Sequence, residues 1–268
     1  MAAIVPDAPQ PPTVPPSEYD ESYYLSACMG YEEWRESGGE RMAGLYEGVL
    51  ERVGLRAGEA LLDIGSGRGE LVVAAAARGA RAVGIEYSPA AVELSRRTLA
   101  AHGDPPGARV ILADARTLPL ADGEFDLVTM LDVIEHLTPS EQGDVLAQAR
   151  RVLRPGGRIH VHTLPNRLIY DVTYRVQRLL RPARRRDWPR QPRIDYELRM
   201  HVGEHSARSL RRALTAAGFD EVQVTHGKMI YADFVPDERA RGLFARLAAH
   251  RLTKPLGCAD LWAEGVRR

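Results

Sequence analysis

Several features common in other protein classes are scarce or missing in this 268-residue sequence. It has two cysteines, Cys28 and Cys258, and no Cys-x-x-Cys pair, which excludes a disulfide scaffold. Its longest apolar run, Leu71–Ala77, is far shorter than the ~20 residues of a membrane-spanning helix. No basic stretch precedes an apolar one near the N-terminus, so we expect no signal peptide and a cytoplasmic location. The 36 basic and 36 acidic residues cancel, which argues against a dedicated nucleic-acid binder.

The chain divides by composition into a tail, a cap and a larger domain. Residues 1–17 hold six prolines and predict a disordered tail. Residues 18–53 are aromatic-rich with helical spacing, and Ser37–Gly39 divides them into two predicted helices, an N-terminal helical cap. Residues 54–268 form the remaining domain. Residues 164–205 are too long for a simple connection and predict an inserted lid.

Short apolar strands alternate with helices throughout this domain. The predicted helices lie near 69–78, 89–102, 140–153, 206–217 and 237–250. The predicted strands are Ala60–Ile64, Arg81–Ile85, Ala108–Ala113, Phe125–Leu131, Arg158–Thr163, Glu221–His226 and Asp260–Val266. This alternation predicts an α/β fold with a mostly parallel sheet flanked by helices.

A glycine-rich turn follows the first strand and is the most informative segment. Gly65, Gly67 and Gly69 stand at alternate positions after Asp63, and a helix follows. Glycine allows a sharp turn and a close ligand approach, and the helix N-terminus favours an anionic group. The spacing differs from Gly-x-Gly-x-x-Gly, which argues against a nicotinamide-dependent oxidoreductase.

Acidic residues at the ends of the next two strands strengthen this interpretation. Glu86 ends the second strand, where a carboxylate can accept hydrogen bonds from two ribose hydroxyls. Tyr87 follows it and could lie against an adenine ring. Asp114 follows the third strand and could accept from the amine of adenine, although a helix cap explains it equally well alone.

These motifs together resemble the class I S-adenosylmethionine (SAM)-dependent methyltransferases over residues 55–226. Phe125–Val128 and Leu153–Gly157 are similar to that family's fourth strand and the turn before its fifth. Asp132–Leu137 and Leu164–Arg167 resemble its ubiquinone and menaquinone biosynthesis members. The resemblance implies a Rossmann-like, seven-stranded sheet ending in an antiparallel hairpin, with SAM as cofactor. It implies these cofactor-binding residues: Asp63, Gly65, Ser66, Gly67, Gly69, Glu86, Tyr87, Asp114, Ala115 and Leu131.

The predicted catalytic residues follow the fourth strand. His136 is the first candidate for a catalytic base, and His162 and His201 are secondary candidates. Asp132 would lie near the methionine end of the cofactor or near the substrate. A structural histidine and a helix cap are the alternatives for His136 and Asp132. We expect no metal, because His160 and His162 share a strand face without a visible third ligand.

The insertion is strongly basic. Within it, segment 175–193 has one acid, Asp187, and eight arginines: Arg175, Arg178, Arg181, Arg184, Arg185, Arg186, Arg190 and Arg193. A solvated surface, a lid over an anionic substrate and contact with an anionic membrane all explain this pattern. Nucleic acid is disfavoured, because the patch holds few aromatic residues. The oligomeric state stays open, with a homodimer as one option.

The predicted function is methyl transfer from SAM to oxygen, nitrogen or carbon of a small molecule, such as a secondary metabolite, a glycan or a lipid-linked compound. A SAM-binding protein that does not methylate, for example a cyclase-like enzyme, is the main alternative. A protein or RNA methyltransferase is another, weakened by the lack of an Asn-Pro-Pro-Tyr segment.

Overall fold

A computed structural model describes residues 11–180, 193–229 and 238–268. It contains a seven-stranded sheet whose strands are β1 (Ala60–Ile64), β2 (Arg81–Glu86), β3 (Ala108–Leu112), β4 (Phe125–Leu131), β5 (Leu153–Thr163), β6 (Asp220–His226) and β7 (Leu261–Val266). Its helices are α1 (Glu21–Tyr24), α2 (Tyr31–Ser37), α3 (Leu45–Arg52), α4 (Glu70–Ala77), α5 (Pro89–Ala101), α6 (Pro139–Val152), α7 (Arg175–Leu180), α8 (Asp195–Met200), α9 (Ala207–Ala216) and α10 (Glu238–Ala249).

The strand order is β3-β2-β1-β4-β5-β7-β6. The first five strands are parallel, whereas β7 runs antiparallel between β5 and β6. This confirms the Rossmann-like fold and the antiparallel hairpin that the resemblance implied. The predicted strand ends agree to within one residue, except that β5 begins at Leu153 rather than Arg158.

Both faces of the sheet are covered by helices, as expected for buried parallel strands. Successive residues of a strand point to opposite faces, so β1 contributes to two apolar layers. Leu62 packs on the face covered by α6 and α9, and Leu61 packs on the face covered by α3 and α4. The sheet is therefore a rigid platform, and the ends of its strands hold the side chains discussed below.

The N-terminal region differs from its prediction. Residues 11–17 contact the domain, because Val14 is buried and the Thr13 amide donates to Glu141 Oε1 at 2.7 Å. Apolar contact and that hydrogen bond order a stretch that was predicted to be disordered. Residues 1–10 of the predicted tail lie outside the described residues. The cap holds three helices, α1 to α3, rather than two, because a turn at 25–30 adds a break.

The insertion forms short helices beside the sheet. A π-helix at Ile169–Tyr174 leads into α7, and α8 follows the part of the insertion that lies outside the described residues. The Tyr170 hydroxyl donates to Glu197 Oε1 at 2.9 Å, which joins the two described parts. Arginines 181, 184, 185, 186 and 190 of the predicted basic segment also lie outside them. None of the helices described is long and apolar enough to cross a bilayer.

Candidate active site

A cavity of about 760 Å³ lies where the parallel strands end, between the sheet, the N-terminal cap and the insertion. Small-molecule sites typically measure ~300–1,000 Å³ and occupy this position in open α/β sheets. All the predicted site residues except Gly69 line it: Asp63, Gly65, Ser66, Gly67, Glu86, Tyr87, Asp114, Ala115, Leu131, Asp132 and His136. The fold therefore brings into one cavity predicted site residues that are spread over more than 70 positions of the sequence, from Asp63 to His136.

The glycine turn leaves no room for a side chain at Gly65. Gly65 has a φ of +74°, and a Cβ there would stand 2.3 Å from Val133 Cγ2. Its amide and that of Ser66 donate to the Ile85 carbonyl at 2.8 and 3.1 Å, which fixes the turn against β2. Ser66 Oγ is buried without a hydrogen-bond partner among the described residues, so it can bond to a ligand.

Gly69 serves packing rather than the cavity wall. It precedes α4 with a φ of +79°, and a Cβ there would lie 2.9 Å from Ser95 Cβ on α5. Its cofactor-binding role stays a prediction, and the structure shows that it permits the close approach of two helices. The structure gives no cavity contact for it.

Glu86 is held rigidly by backbone amides. Its Oε1 accepts from the amides of Tyr87 and Ser88 at 2.8 and 2.9 Å, and Oε2 accepts from Gly67 at 3.0 Å. Burial raises the pKa of Glu86, and the three amides oppose that rise. The Tyr24 side chain also hydrogen-bonds to this carboxylate, so a ligand hydroxyl would share or replace one of its roughly four acceptor positions.

Asp63 lies at the end of β1 and is fully enclosed. Burial raises its pKa to about 7, and its Oδ1 accepts from the Thr129 hydroxyl at 2.8 Å. A carboxyl group with such a pKa is able to change protonation when a cationic ligand group approaches.

The adenine side of the predicted site contains Asp114, Ala115 and Tyr87. Asp114 caps a short 3₁₀ helix through the Arg116 amide at 2.8 Å and pairs with the Arg116 guanidinium at 2.7 Å. The helix-cap alternative is therefore present, on a residue that also lines the cavity. The Tyr87 hydroxyl donates to the Val14 carbonyl at 2.6 Å, which leaves the ring as part of the wall.

Asp132 lies beside the glycine turn, at the end of the strand that neighbours β1. The His162 ring stands between its carboxylate and that of Asp260. His162 Nδ1 lies 2.6 Å from Asp132 Oδ1, and its Nε2 lies 3.2 Å from Asp260 Oδ2. Burial acts to lower the pKa of His162, but these carboxylates outweigh it and raise the pKa to about 10. The resulting imidazolium holds the pKa of Asp132 below its ordinary value against the effect of burial.

The backbone fixes Asp132 as well. Its φ of +54° is unusual for a residue with a side chain, and its amide donates to the His162 carbonyl at 3.1 Å. Sequence reasoning missed Asp260, because the antiparallel β7 brings its start to the cavity from 98 residues beyond His162.

A second polar cluster on this wall consists of Glu135 and His136, which are adjacent in sequence, and His201 from the insertion. The His136 and His201 rings pack edge to face, with their centroids 4.8 Å apart. Glu135 Oε2 accepts a hydrogen bond from the Thr163 hydroxyl at 2.8 Å. Burial lowers the pKa of His136 to about 3, and His201 adds to that effect. His136 is therefore neutral near pH 7. Burial likewise raises the pKa of Glu135 to about 7.

The cap lines one side of the cavity and is joined to the glycine turn by Arg68. This buried guanidinium donates to the carbonyls of Tyr24 and Met29 at 2.6 and 2.8 Å. It also pairs with the buried Glu70 at 2.7 Å. The Ser88 hydroxyl adds a bond to the Tyr19 carbonyl at 2.6 Å, so the cap and the predicted cofactor wall form one unit.

Comparison with known proteins identifies the class. A family model described as a methyltransferase domain matches residues 62–161. The chain is 30% identical over 165 residues to the ubiquinone biosynthesis O-methyltransferase of Pseudomonas aeruginosa, covering 55% of this chain and 68% of that one. It is 42% identical over 109 residues to the 27-O-demethylrifamycin SV methyltransferase of Amycolatopsis mediterranei, covering 39% of this chain and 38% of that one.

Solved structures agree on the fold. Geranyl diphosphate C-methyltransferase of Streptomyces coelicolor is 17% identical with a TM-score of 0.57, covering 91% of this chain and 86% of that one. The chain belongs to the class I SAM-dependent methyltransferases. It spans 32% and 48% of two uncharacterised relatives, from Streptomyces fradiae and Synechocystis.

The cavity fits the cofactor of this family. Gly65 and Gly67 of the glycine turn have no Cβ, Ser66 Oγ is an unsatisfied polar atom, and the buried Glu86 carboxylate lines the cavity. These features match a ligand with hydroxyl groups and a polar end.

Proposed function

We propose that this protein transfers the methyl group of SAM to a hydroxyl oxygen of a small molecule. The observation that carries the proposal is that one cavity is lined both by the glycine turn with Glu86 and by Asp132 and His136. One wall suits the cofactor, and the other offers a proton acceptor to a second ligand. A shared cavity places two reactants together without solvent between them.

On the first wall, each residue has a role that its surroundings support. Glu86 would bind ribose hydroxyls, Tyr87 and Asp114 would contact adenine, and Ser66 with Asp63 would bind the methionine end. When bound, SAM supplies a methyl group already activated by the sulfonium. The chain therefore needs to position the acceptor and exclude water, and a cap tied to the glycine turn by Arg68 is suited to both tasks.

On the second wall, Asp132 is the group that would receive the proton that an acceptor hydroxyl loses, because burial lowers the pKa of His136 to about 3 and leaves it a weak base. Asp132 is ionised and fixed by His162, and His136 is neutral. These states suit an oxygen acceptor, because its proton must leave during the reaction. The rings of Tyr19, Tyr23 and Tyr196 line the same space, which suits an acceptor with an apolar or planar body. The names of the Pseudomonas and Amycolatopsis relatives are in line with such acceptors.

The test combines binding with product detection. Purified protein is titrated in a calorimeter with SAM, S-adenosylhomocysteine and NAD, and is then incubated with SAM and a panel of hydroxylated aromatic and macrolide-type compounds. We expect binding of both SAM-type ligands and release of S-adenosylhomocysteine with at least one hydroxyl compound, lost on its O-methylated form. NAD binding without SAM binding would refute the proposal. SAM binding with acceptor turnover but no S-adenosylhomocysteine would favour the cyclase-like alternative.

We further infer that the basic segment 175–193 contacts anionic lipid. In α7, Val176 and Leu179 expose 47% and 65% of their surface beside Arg175. Exposed apolar side chains among arginines suit a membrane surface carrying negative charge. Flotation with phosphatidylglycerol vesicles should recover the protein, and phosphatidylcholine vesicles should not. Equal recovery, or an unchanged result for Val176→Ser with Leu179→Ser, would refute the inference.

A further inference from the structure

We propose that Glu135, His136 and His201 bind a divalent transition-metal ion at the acceptor end of the cavity. The inference deepens the proposed function, on which it rests, by naming what holds the acceptor there. It departs from the expectation of no metal, which considered only residues close together in sequence.

The three side chains converge in space. One ligand atom from each lies within 4.8 Å of the other two, with Glu135 and His136 buried and His201 half-buried. An equilateral triangle with such sides has its centre about 2.8 Å from each corner, whereas metal–ligand bonds measure ~2.0–2.2 Å. Inward shifts of about 0.6–0.8 Å, available from small side-chain rotations, would therefore complete the three bonds.

The histidines carry nitrogens that the protein leaves unsatisfied. His136 Nδ1 and His201 Nδ1 are buried and have no hydrogen-bond partner among the described residues. The carboxylate nearest to His201 Nδ1 is Glu204, at 3.7 Å, and it already pairs with Arg193. Buried polar atoms without partners are costly and rare in folded proteins, so two in one cluster indicate a ligand.

The outer contacts of the cluster resemble those that orient metal ligands. The Thr163 hydroxyl donates to Glu135 Oε2 at 2.8 Å, and the Tyr196 hydroxyl lies 3.0 Å from His201 Nε2. Such partners fix the ring and carboxylate orientations around a metal. The unsatisfied Nδ1 atom of His201 is thereby left for the ion.

The donor set selects the type of ion. Two imidazoles and one carboxylate suit Zn²⁺, Co²⁺, Fe²⁺ or Mn²⁺, whereas Mg²⁺ prefers oxygen ligands alone. All three residues line the cavity, so a fourth position would face the acceptor. An ion there would supply Lewis-acid chemistry that favours loss of a hydroxyl proton.

The experiment uses Co²⁺ as a visible probe on the untagged full chain after treatment with a chelator. Titration with Co²⁺ should give one equivalent of bound ion and visible absorption bands, and calorimetry with Zn²⁺ should give the same stoichiometry. His201→Ala and Glu135→Gln should each weaken binding by at least about 100-fold, because each removes a ligand. His250→Ala, which changes an exposed histidine outside the cavity, should leave binding unchanged.

Two results would overturn the site. One is a folded wild-type chain that takes up no Co²⁺ or Zn²⁺ at micromolar concentrations, and the other is undiminished binding by both ligand variants. S-adenosylhomocysteine titration of every variant separates the two proposals. Retained nucleoside binding without metal binding counts against the metal site alone, whereas loss of nucleoside binding by the wild-type chain counts against the proposed function.

Discussion

Replacing Glu86 tests the cofactor wall at its most constrained point. In Glu86→Gln one carboxylate oxygen becomes an amide nitrogen, while the chain around it still presents three backbone N–H groups. If the amide oxygen keeps the bonds from Tyr87 and Ser88, the new NH₂ group faces the Gly67 N–H. If it rotates, the NH₂ group faces the other two. Either way the variant loses acceptors that ribose hydroxyls need.

The loss should measure about 1–3 kcal/mol in binding free energy, the cost of leaving buried polar groups unpaired. This corresponds to roughly 5–150-fold weaker binding of S-adenosylhomocysteine. Calorimetric titration gives the affinity directly, and thermal denaturation shows that the variant is folded. Glu93→Ala, which removes an exposed acid of α5, is the matched control. Equal affinity for the Gln variant and the wild-type chain would refute the assignment of Glu86 to ribose.

Three further predictions concern the turn, the cap and the second wall. Gly65→Ala should weaken S-adenosylhomocysteine binding or destabilise the chain by about 1–3 kcal/mol, because its Cβ meets Val133; calorimetry and denaturation showing no change would contradict this. Arg68→Met should lower the free energy of unfolding by about 3–5 kcal/mol, since it leaves buried Glu70 unpaired; a denaturant midpoint equal to wild type would count against it, and adding Glu70→Leu should restore part of the loss. The raised pKa of His162 gives stability that is complete below about pH 6.5 and is lost as pH rises through about 10. The melting temperature of the wild-type chain should therefore decrease as the pH is raised from about 6.5 to about 10, and that of His162→Gln should decrease less. Parallel plots of melting temperature against pH for the two proteins would exclude the charged histidine.

The strands and the glycine turn could be predicted because their signals are local. An apolar run such as Ala60–Ile64, followed by alternate glycines and by an acid at the end of the next strand, predicts a strand, a turn and a helix from residues close together in sequence. The same reasoning placed Glu86 and Asp132 on the cavity wall.

The other half of the candidate site depends on distant parts of the chain. His201 reaches His136 from the insertion, and Asp260 reaches His162 from the start of β7. No spacing in the sequence signals either contact. His201 was named only as a secondary candidate base, because the partners that define its surroundings are set by the tertiary fold. The ordering of residues 11–17 was missed for the same reason, since Glu141 supplies the partner.

The bonds between Arg68 and the carbonyls of the cap have a consequence for the rate of turnover. The cap is held by the same turn that is predicted to contact the cofactor, so we expect ordering of the cap and binding of the cofactor to be linked equilibria. A ligand that steadies the turn should steady the cap equally, by reciprocity. Release of the spent cofactor would then require the cap to open. Turnover would in that case be governed by how long the cap stays closed rather than by the reaction that it encloses.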